Sequence, residues 1–204
     1  MDALIFAAFE ALCAPLGVSG AVLEIGASPL HPSLLAMPCL AGAAERIGVG
    51  LDGAAETPGW RIEQADAHDL SRFGDGRFAL VLCNSMLEHD PRFWLTLAEA
   101  RRVLAPGGWL VLGVPGYGAM GTVPGAGLVR RLARLPWLGR RWRPAMEALA
   151  ASSVTLGLHH FPGDYYRFSA AALREVLLEG LEAVETQTLM LPPRVLGRGR
   201  KALA

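Results

Sequence analysis

The stretch Ala21-Val22-Leu23-Glu24-Ile25-Gly26-Ala27-Ser28 decides which fold the sequence predicts. Its apolar residues are interrupted only by Glu24 and stop at a Gly-Ala-Ser-Pro break, which is typical of a buried parallel strand that ends in a tight loop. An unpaired buried charge costs several kcal/mol, so packing does not explain the carboxylate near the end of this run. Because ligands of open α/β sheets lie outside the carboxyl ends of the strands, residues 24–28 are predicted to form the floor of a ligand site.

Further short apolar runs follow along the chain and predict a parallel sheet. They lie at Arg46–Leu51, Trp60–Ala65, Phe78–Cys83 and Trp109–Val114. Helical or loop segments separate the runs, which is the pattern of βαβ units. The interval Leu30–Ala44 contains two prolines, Pro32 and Pro38, and therefore predicts only short helical pieces.

A residue able to make a directed hydrogen bond lies near the end of each of the first four runs. These residues are Glu24, Asp52, Asp66 and Asn84. Parallel strands align their carboxyl ends, so these side chains are predicted to converge along one edge of the sheet. Asp and Asn are also common turn formers after strands, which is the alternative for any one of them. Their recurrence at equivalent places favours a binding site.

The order of these motifs resembles the class I, Rossmann-like S-adenosylmethionine-dependent methyltransferases. VLEIGAS is similar to the first motif of that family, in which an acidic residue precedes alternating glycines. FALVLCNSMLEHD (residues 78–90) and RRVLAPGG (residues 101–108) are similar to segments of its ubiquinone-biosynthesis-like small-molecule branch. The resemblance implies a single three-layer α/β domain over residues 1–204. It also implies a mostly parallel seven-stranded sheet in the order 3-2-1-4-5-7-6, with helices on both faces.

The resemblance further implies that S-adenosylmethionine is the cofactor. Asp52 matches the family residue that holds the ribose hydroxyls, and Asp66 matches the residue that accepts from the adenine amino group. The implied cofactor-binding residues are Glu24, Gly26, Ala27, Ser28, Asp52, Gly53, Asp66, Ala67, Asn84 and Ser85. The chain departs from the pattern at Ser28, where the family has glycine, and at Ala79, where it has aspartate. A degenerate scaffold without catalytic activity is therefore the alternative to an enzyme.

Residues 116–163 break the alternating pattern and are predicted to be an inserted, lid-like segment between the fifth strand and the following helix. Glycines at its start predict a flexible connection. Within it, Arg130–Arg143 interleaves arginines with tryptophans and leucines, which suits an anionic membrane surface or a lipid-linked substrate. The alternative is a solvated arginine face whose tryptophans pack against the domain.

The segment HHFPGDYYRFS (residues 159–169) resembles a stretch of the same branch that closes over the cofactor and shapes the acceptor pocket. A hydroxyl acceptor requires a base, and histidine is the commonest choice. His160 and His89 are the candidate catalytic bases, and Tyr165 is an orienting residue or an alternative base. In the competing interpretation Tyr165, Tyr166 and Phe168 are core aromatics and the histidines of this segment are loop residues. His89 could equally be a structural residue of the LEH motif (residues 87–89).

The end of the chain predicts one helix and two strands. Ser169 suits the N-cap of a helix over Ala170–Glu179, with a buried stripe of Leu173, Val176 and Leu177. Strands are predicted at Leu181–Leu191 and Arg194–Lys201. The N-terminal run Ala3–Phe9 predicts an amphipathic helix with Leu4, Ala8 and Leu12 on one face, rather than a signal peptide or a membrane span.

Composition excludes several functional classes. The formal net charge is zero, which disfavours a nucleic-acid binder that neutralises phosphates. Three scattered cysteines without a CxxC pair argue against a disulfide framework or a zinc site and fit a cytoplasmic protein, with or without peripheral membrane binding. A nicotinamide oxidoreductase would need a G-x-G-x-x-G turn, which residues 26–31 lack. The composition thus gives no reason to expect a metal, and the resemblance implies a small-molecule acceptor.

Overall fold

The structure is a computed structural model that describes residues 2–119, 127, 128, 142, 144, 145, 148, 151–157, 163–190 and 193–203. Helices are α1 (Ala3–Cys13), α2 (Phe93–Val103) and α3 (Ala170–Ala172), and a π-helical turn over Leu173–Leu177 continues α3. Short 3-10 turns lie at Ala14–Leu16, Leu34–Ala36 and Pro38–Leu40. The strands are β1 (Ala21–Ile25), β2 (Glu45–Gly50), β3 (Ala55–Thr57), β4 (Trp60–Gln64), β5 (Phe78–Asn84), β6 (Leu104–Pro115), β7 (Tyr117–Ala119), β8 (Ser153–Thr155), β9 (Glu182–Met190) and β10 (Pro193–Arg200).

Eight of these strands form one sheet in the spatial order β3-β4-β2-β1-β5-β6-β10-β9. The strands from β4 to β6 run parallel, whereas β10 is antiparallel to both β6 and β9. The predicted Rossmann-like order 3-2-1-4-5-7-6 is confirmed by β4-β2-β1-β5-β6-β10-β9. The sheet has eight strands rather than seven because β3 adds to the edge as a hairpin with β4. Pro58 and Gly59 form the turn of that hairpin, and Gly59 takes a φ of 96°.

The sheet lies between two apolar layers, which confirms the predicted three-layer fold. On one face, α1 and the 3-10 turns at 34–36 and 38–40 pack against Val22, Leu80 and Leu82. On the other face, α2, α3 and the π-helical turn pack against the opposite side chains of the same strands, such as Leu23 and Val81. Side chains of a strand alternate between faces, so Glu24 points toward the 3-10 turns, on the side of Val22.

The buried stripe of α1 differs from the predicted one. Ile5, Phe9 and Cys13 are buried, whereas Leu4 is half exposed. Both stripes have the i, i+4 spacing of a helix face, and the tertiary partners of the helix decide between them. The predicted face was therefore wrong by one position, although the helix itself was correct.

The helix that begins after Ser169 also buries a different stripe. The Ser169 hydroxyl accepts a hydrogen bond from the Ala172 amide at 3.0 Å, so the predicted N-cap is confirmed. The π-helical turn then widens the helix, and the Leu178 amide donates to the Leu173 carbonyl at 3.0 Å. This extra residue per turn rotates Val176 into solvent and buries Leu178 instead.

The described ends of the 116–163 segment form a two-stranded antiparallel ribbon, β7 with β8. Gly116, which the sequence suggested as the start of a flexible connection, is fixed on the main sheet. Its amide donates to the Pro193 carbonyl at 2.9 Å, and an added Cβ would lie 2.7 Å from the Val195 side chain. Gly116 therefore fixes the start of this segment to the main sheet. Among the described residues, no helix is long and apolar enough to cross a membrane.

Candidate active site

The loop after β1 lies directly on β2. The Gly26 and Ala27 amides both donate to the Val49 carbonyl, at 2.8 and 2.9 Å. Gly26 takes a φ of 82°, and an added Cβ would meet the Met86 side chain at 2.7 Å. A Cβ on Gly50 would lie 1.9 Å from the Ala27 carbonyl oxygen. Glycine at 26 and at 50 therefore allows the loop backbone to lie close to the edge of the sheet.

Glu24 supports this loop from below. Its side chain is buried, and the carboxylate accepts hydrogen bonds from the Ser33 hydroxyl and, at 3.2 Å, from the Leu34 amide. Burial raises the pKa of the Glu24 carboxyl, and the hydrogen bonds from Ser33 and Leu34 act in the opposite direction. The buried charge that the sequence left unexplained thus has partners, and they lie in the chain itself.

Ser28 stabilises the same loop by a local turn. Its hydroxyl accepts from the Leu30 amide at 3.2 Å, and its carbonyl accepts from the His31 amide at 3.3 Å. Among the described residues, the non-glycine positions with positive φ are Ser85 and Ala183. Ser28 therefore occupies a conformation open to any residue, and the loop does not require glycine there.

The carboxylates after β2 and β4 lie at neighbouring strand ends and face solvent. The Ala65 amide donates to the Gly50 carbonyl at 3.0 Å, which keeps these two ends together. Asp52 is exposed, and the Asp66 carboxylate accepts from the His68 amide at 2.9 Å while its side chain stays 62% exposed. An open groove of about 450 Å³ lies beside Asp66. Its lining residues are Gln64, Ala65, Asp66, Asp69, Ser71 and Arg72.

A buried network that the sequence analysis missed connects the Asp66 loop to the loop after β5. His68 Nε2 lies 2.9 Å from both carboxylate oxygens of Asp90, which is 7% exposed. Asp90 also accepts from the Thr96 hydroxyl at 2.7 Å and from the Arg92 amide at 2.8 Å. In the sequence, His68 follows the Asp66-Ala67 pair and Asp90 ends the stretch LEHD (residues 87–90), but no rule of sequence spacing pairs these two residues.

The end of β5 carries polar groups whose hydrogen-bonding capacity is incompletely used. Ser85 takes a φ of 52°, its amide donates to the Gly113 carbonyl at 2.9 Å, and its hydroxyl accepts from Arg194 Nη1 at 2.5 Å. Asn84 Oδ1 and Arg194 Nε are buried without a hydrogen-bond partner among the described residues. The sequence predicted Asn84 and Ser85 at this edge but gave no indication that Arg194 crosses β6 to reach them.

Glu88, one turn further along, is fully buried. Neither carboxylate oxygen has a hydrogen-bond partner in the described part of the chain beyond its own backbone amide. Burial raises the pKa of Glu88 to about 7, and the guanidinium groups of Arg194 and Arg167 act in the opposite direction. Asp164 raises the pKa further, although it is itself paired with Arg167.

The two described catalytic candidates, His89 and Tyr165, lie in different surroundings. His89 Nδ1 is hydrogen-bonded to the Gly163 carbonyl. This bond joins the loop that contains the LEH motif (residues 87–89) to residues 163–168, here called the returning segment. Tyr165 is 58% exposed, and its amide donates to the Glu88 carbonyl at 2.8 Å. Tyr166 and Phe168 pack edge-on against Phe93 at 5.1 and 5.5 Å, as the core-aromatic alternative predicted for them.

Two predicted features lie outside the described residues. One is His160, and the other is the Arg130–Arg143 segment, of which Trp142 alone is described. The Trp142 side chain is 58% exposed.

Comparison with known proteins identifies the fold and the domain type. Residues 47–112, which span β2 to β6, match the family described as "Methyltransferase domain". This part of the chain is therefore similar to a methyltransferase domain. The match covers the strand ends with Asp52, Asp66 and Ser85, together with Glu88. A search of curated proteins found no match to the chain.

Solved structures of low sequence identity share the fold of this chain. One is the Burkholderia thailandensis 1,6-didemethyltoxoflavin-N1-methyltransferase with bound 1,6-didemethyltoxoflavin and S-adenosylhomocysteine (19% identity, TM-score 0.62, 98% of this chain and 80% of that one). A second belongs to the complex of the Haloferax volcanii Trm112 methyltransferase activator with a methyltransferase (16%, 0.64, 97% and 89%). A third is an S-adenosylmethionine-dependent methyltransferase from Archaeoglobus fulgidus (15%, 0.61, 97% and 93%).

The family match and these structures support an S-adenosylmethionine-dependent methyltransferase with S-adenosylmethionine as its cofactor. The residues present fit such a ligand. The exposed carboxylates of Asp52 and Asp66 lie at neighbouring strand ends and offer acceptors for hydroxyl and amino groups.

Proposed function

We propose that the chain transfers a methyl group from S-adenosylmethionine to a hydroxyl oxygen of a small molecule or of a lipid- or sugar-linked acceptor. The observation that carries the proposal is the separation of two polar regions along one edge of the sheet. Open carboxylates and a groove follow β2 and β4, and buried polar groups with unused hydrogen-bonding capacity follow β5. The first region suits a nucleoside and the second suits an acceptor. The likeness of residues 78–90 and 101–108 to the ubiquinone-biosynthesis-like branch supports the choice of a small acceptor.

In this proposal the cofactor lies across the ends of β4, β2, β1 and β5. Asp52 accepts from the ribose hydroxyls, and Asp66 accepts from the adenine amino group. The bound sulfonium supplies an activated methyl group, so the chain has to hold donor and acceptor about 3 Å apart and in line. The other residues of the proposed cofactor surface are Gly26, Ala27, Ser28, Gly53, Ala67, Asn84 and Ser85. Glu24 belongs to the same set but acts indirectly, because it holds the loop after β1.

Removal of the proton from a hydroxyl acceptor is assigned to residues 159–165 and to the LEH motif (residues 87–89). His160, His89 and Tyr165 remain the proposed groups, and the contact of His89 with the Gly163 carbonyl brings the two segments together. Tyr165 is the most accessible of the described candidates, since its ring is 58% exposed while its amide is held by the carbonyl of Glu88. This arrangement supports Tyr165 as an orienting residue.

Residues 116–163 are proposed to cover the acceptor site, and the β7–β8 ribbon would be the stem of this cover. The arginines and tryptophans of Arg130–Arg143 would bind an anionic membrane surface or a lipid-linked acceptor, which would make the protein cytoplasmic and peripheral to the membrane. The exposed Trp142 side chain supports this role, because an exposed tryptophan among arginines suits the membrane interface.

Isotope transfer tests the proposal. The purified protein is incubated with S-adenosylmethionine that carries a deuterated methyl group and, separately, with the water-soluble and lipid fractions of a cell extract. A labelled product in either fraction is expected, and cleavage of its methyl ether with hydriodic acid should release labelled methyl iodide and return a hydroxyl. Absence of any labelled product from a protein that still binds S-adenosylhomocysteine would favour the degenerate scaffold. A label on nitrogen or carbon would overturn the assignment to oxygen.

A further inference from the structure

Several polar atoms near the end of β5 are buried without a hydrogen-bond partner among the described residues. Buried polar atoms in folded proteins are almost always paired, so each unpaired one calls for an explanation. Four such atoms, on three residues, lie on neighbouring elements at this edge: Asn84 Oδ1, both carboxylate oxygens of Glu88, and Arg194 Nε. Because β10 runs antiparallel to β6, its first residues lie where the parallel strands end, and Arg194 is paired with Pro115. The unpaired atoms therefore belong to the edge at which ligands bind.

Arg194 and Ser85 form a donor pair. Arg194 donates to the Ser85 hydroxyl from Nη1, and no ion pair joins it to a carboxylate among the described residues. The Ser85 oxygen accepts that bond, which leaves its own O–H proton available to donate. Ser85 also holds a φ of 52°, an uncommon conformation for a non-glycine residue that is concentrated at functional sites. A guanidinium and a hydroxyl held in this way make a suitable place for an anionic oxygen.

Glu88 supplies an acceptor to the same region. Glu88 is fully buried and has no side-chain partner among the described residues, and the charges that act on it come from Arg194 on β10 and from Arg167 and Asp164. Arg167 is already bonded to Asp164, whereas Arg194 has no ion pair with a carboxylate in the described ranges. A ligand that carries one anionic oxygen and one hydroxyl group would satisfy Arg194 and Glu88 together.

We infer that Arg194, Ser85 and Glu88 form the recognition site for the methyl acceptor, and that the acceptor is a small hydroxylated acid. Its anionic oxygen accepts hydrogen bonds from Arg194 and Ser85, and a hydroxyl group of the same molecule donates to the Glu88 carboxylate. This inference rests on the proposed methyl transfer, because it names the acceptor class for that site. It predicts that neutral hydroxylated molecules are poor acceptors.

Matched ligand pairs test the inference. Hydroxybenzoates, lactate and malate are each compared with the corresponding carboxamide, by ligand-observed NMR at pH 8 with S-adenosylhomocysteine present. At least one acid should bind, and its amide should bind at least tenfold more weakly, since a hydrogen bond to a charged group contributes about 1.5–3 kcal/mol. Equal binding of acids and amides would overturn the inference. So would binding of S-adenosylhomocysteine without binding of any acid.

Variants locate the contacts. Arg194→Gln should weaken acid binding by about ten- to a hundred-fold and leave S-adenosylhomocysteine affinity within about twofold. Arg174→Gln is the matched control, because Arg174 is exposed on the surface and donates to Thr186 instead. Ser85→Ala is the second variant if Arg194→Gln does not fold, and it should weaken the acids several-fold. Equal affinities in the variants and the control would exclude Arg194 and Ser85 from the site.

The hydroxyl contact is tested with benzoate and hydroxybenzoate. At pH 8 the wild-type protein should prefer the hydroxylated acid, because the ionised Glu88 carboxylate accepts a hydrogen bond from its hydroxyl group. Glu88→Gln should reduce that preference about tenfold while benzoate binds as before. An unchanged preference would remove Glu88 from the site. If the wild-type protein does not bind S-adenosylhomocysteine, the proposed function itself fails. The NMR experiment measures this binding separately from the binding of the acids.

Discussion

Replacement of the buried Glu88 by glutamine should make the protein less sensitive to high pH. Burial raises the pKa of Glu88 from 4.5 to about 7 in the folded protein, whereas an unfolded chain has the ordinary value. Below pH 4.5 the group is neutral in both states, and above pH 7 it is ionised in both. The free energy of unfolding therefore falls as pH rises through this window, because the folded state must then hold an unpaired buried charge. The shift corresponds to about 3 kcal/mol.

The assay is urea or thermal unfolding of the wild-type protein and Glu88→Gln at pH 4.5 and pH 8. The free energy of unfolding of Glu88→Gln, relative to that of the wild-type protein, should rise by about 3 kcal/mol from pH 4.5 to pH 8. For a chain of this length that corresponds to roughly 6–12 °C in Tm. The buried Glu24 titrates in both proteins and cancels from the difference. Glu175→Gln, at an exposed position, should show no such change. A difference that stays constant with pH would refute the reasoning.

The remaining predictions concern the loops of the candidate site. Gly50→Ala should lower the free energy of unfolding by about 1–3 kcal/mol in chemical denaturation, because its Cβ would collide with a loop carbonyl; Gly42→Ala, in open space, should cost far less. His68→Ala should cost about 1–3 kcal/mol by removing a partner of a buried aspartate, and a loss no larger than that of exposed His31→Ala would contradict this. Ser28→Gly should lower stability by about 1 kcal/mol without tightening S-adenosylhomocysteine binding, and tighter calorimetric binding would show that the serine obstructs the loop.

Hydrophobic pattern predicted most of the sheet because its strands are short and buried on both faces. The runs at Arg46–Leu51 and Phe78–Cys83 were displaced by one residue or less from β2 and β5. The strand β3 was missed because Ala55–Thr57 is three residues long and only partly buried, so it has no apolar pattern. Its signal was the Pro58-Gly59 turn that follows it. The π-helical turn was missed because a local widening of a helix leaves no mark on the spacing of its apolar residues.

The candidate site was predictable in its positions but not in its partners. A polar residue after each parallel strand predicts an edge site, and Asp52 and Asp66 lie there at neighbouring strand ends. The contacts that give the site its chemistry connect residues far apart in the chain. Ser85 and Arg194 are 109 positions apart, and His68 and Asp90 are 22 apart. Only the sheet order brings such pairs together, since β10 must lie beside β6 before Arg194 can reach across it.

Calorimetric titration with S-adenosylhomocysteine tests the central claim most directly. The wild-type protein should bind, and folded Asp52→Ala should bind about ten- to a hundred-fold more weakly, because a hydrogen bond involving a charged group contributes roughly 1.5–3 kcal/mol. Glu56→Ala removes another exposed carboxylate, on the edge strand β3, and should bind like the wild type. No heat of binding to the wild-type protein, or equal affinity of Asp52→Ala and the wild type, would contradict the assignment of this edge of the sheet to the cofactor.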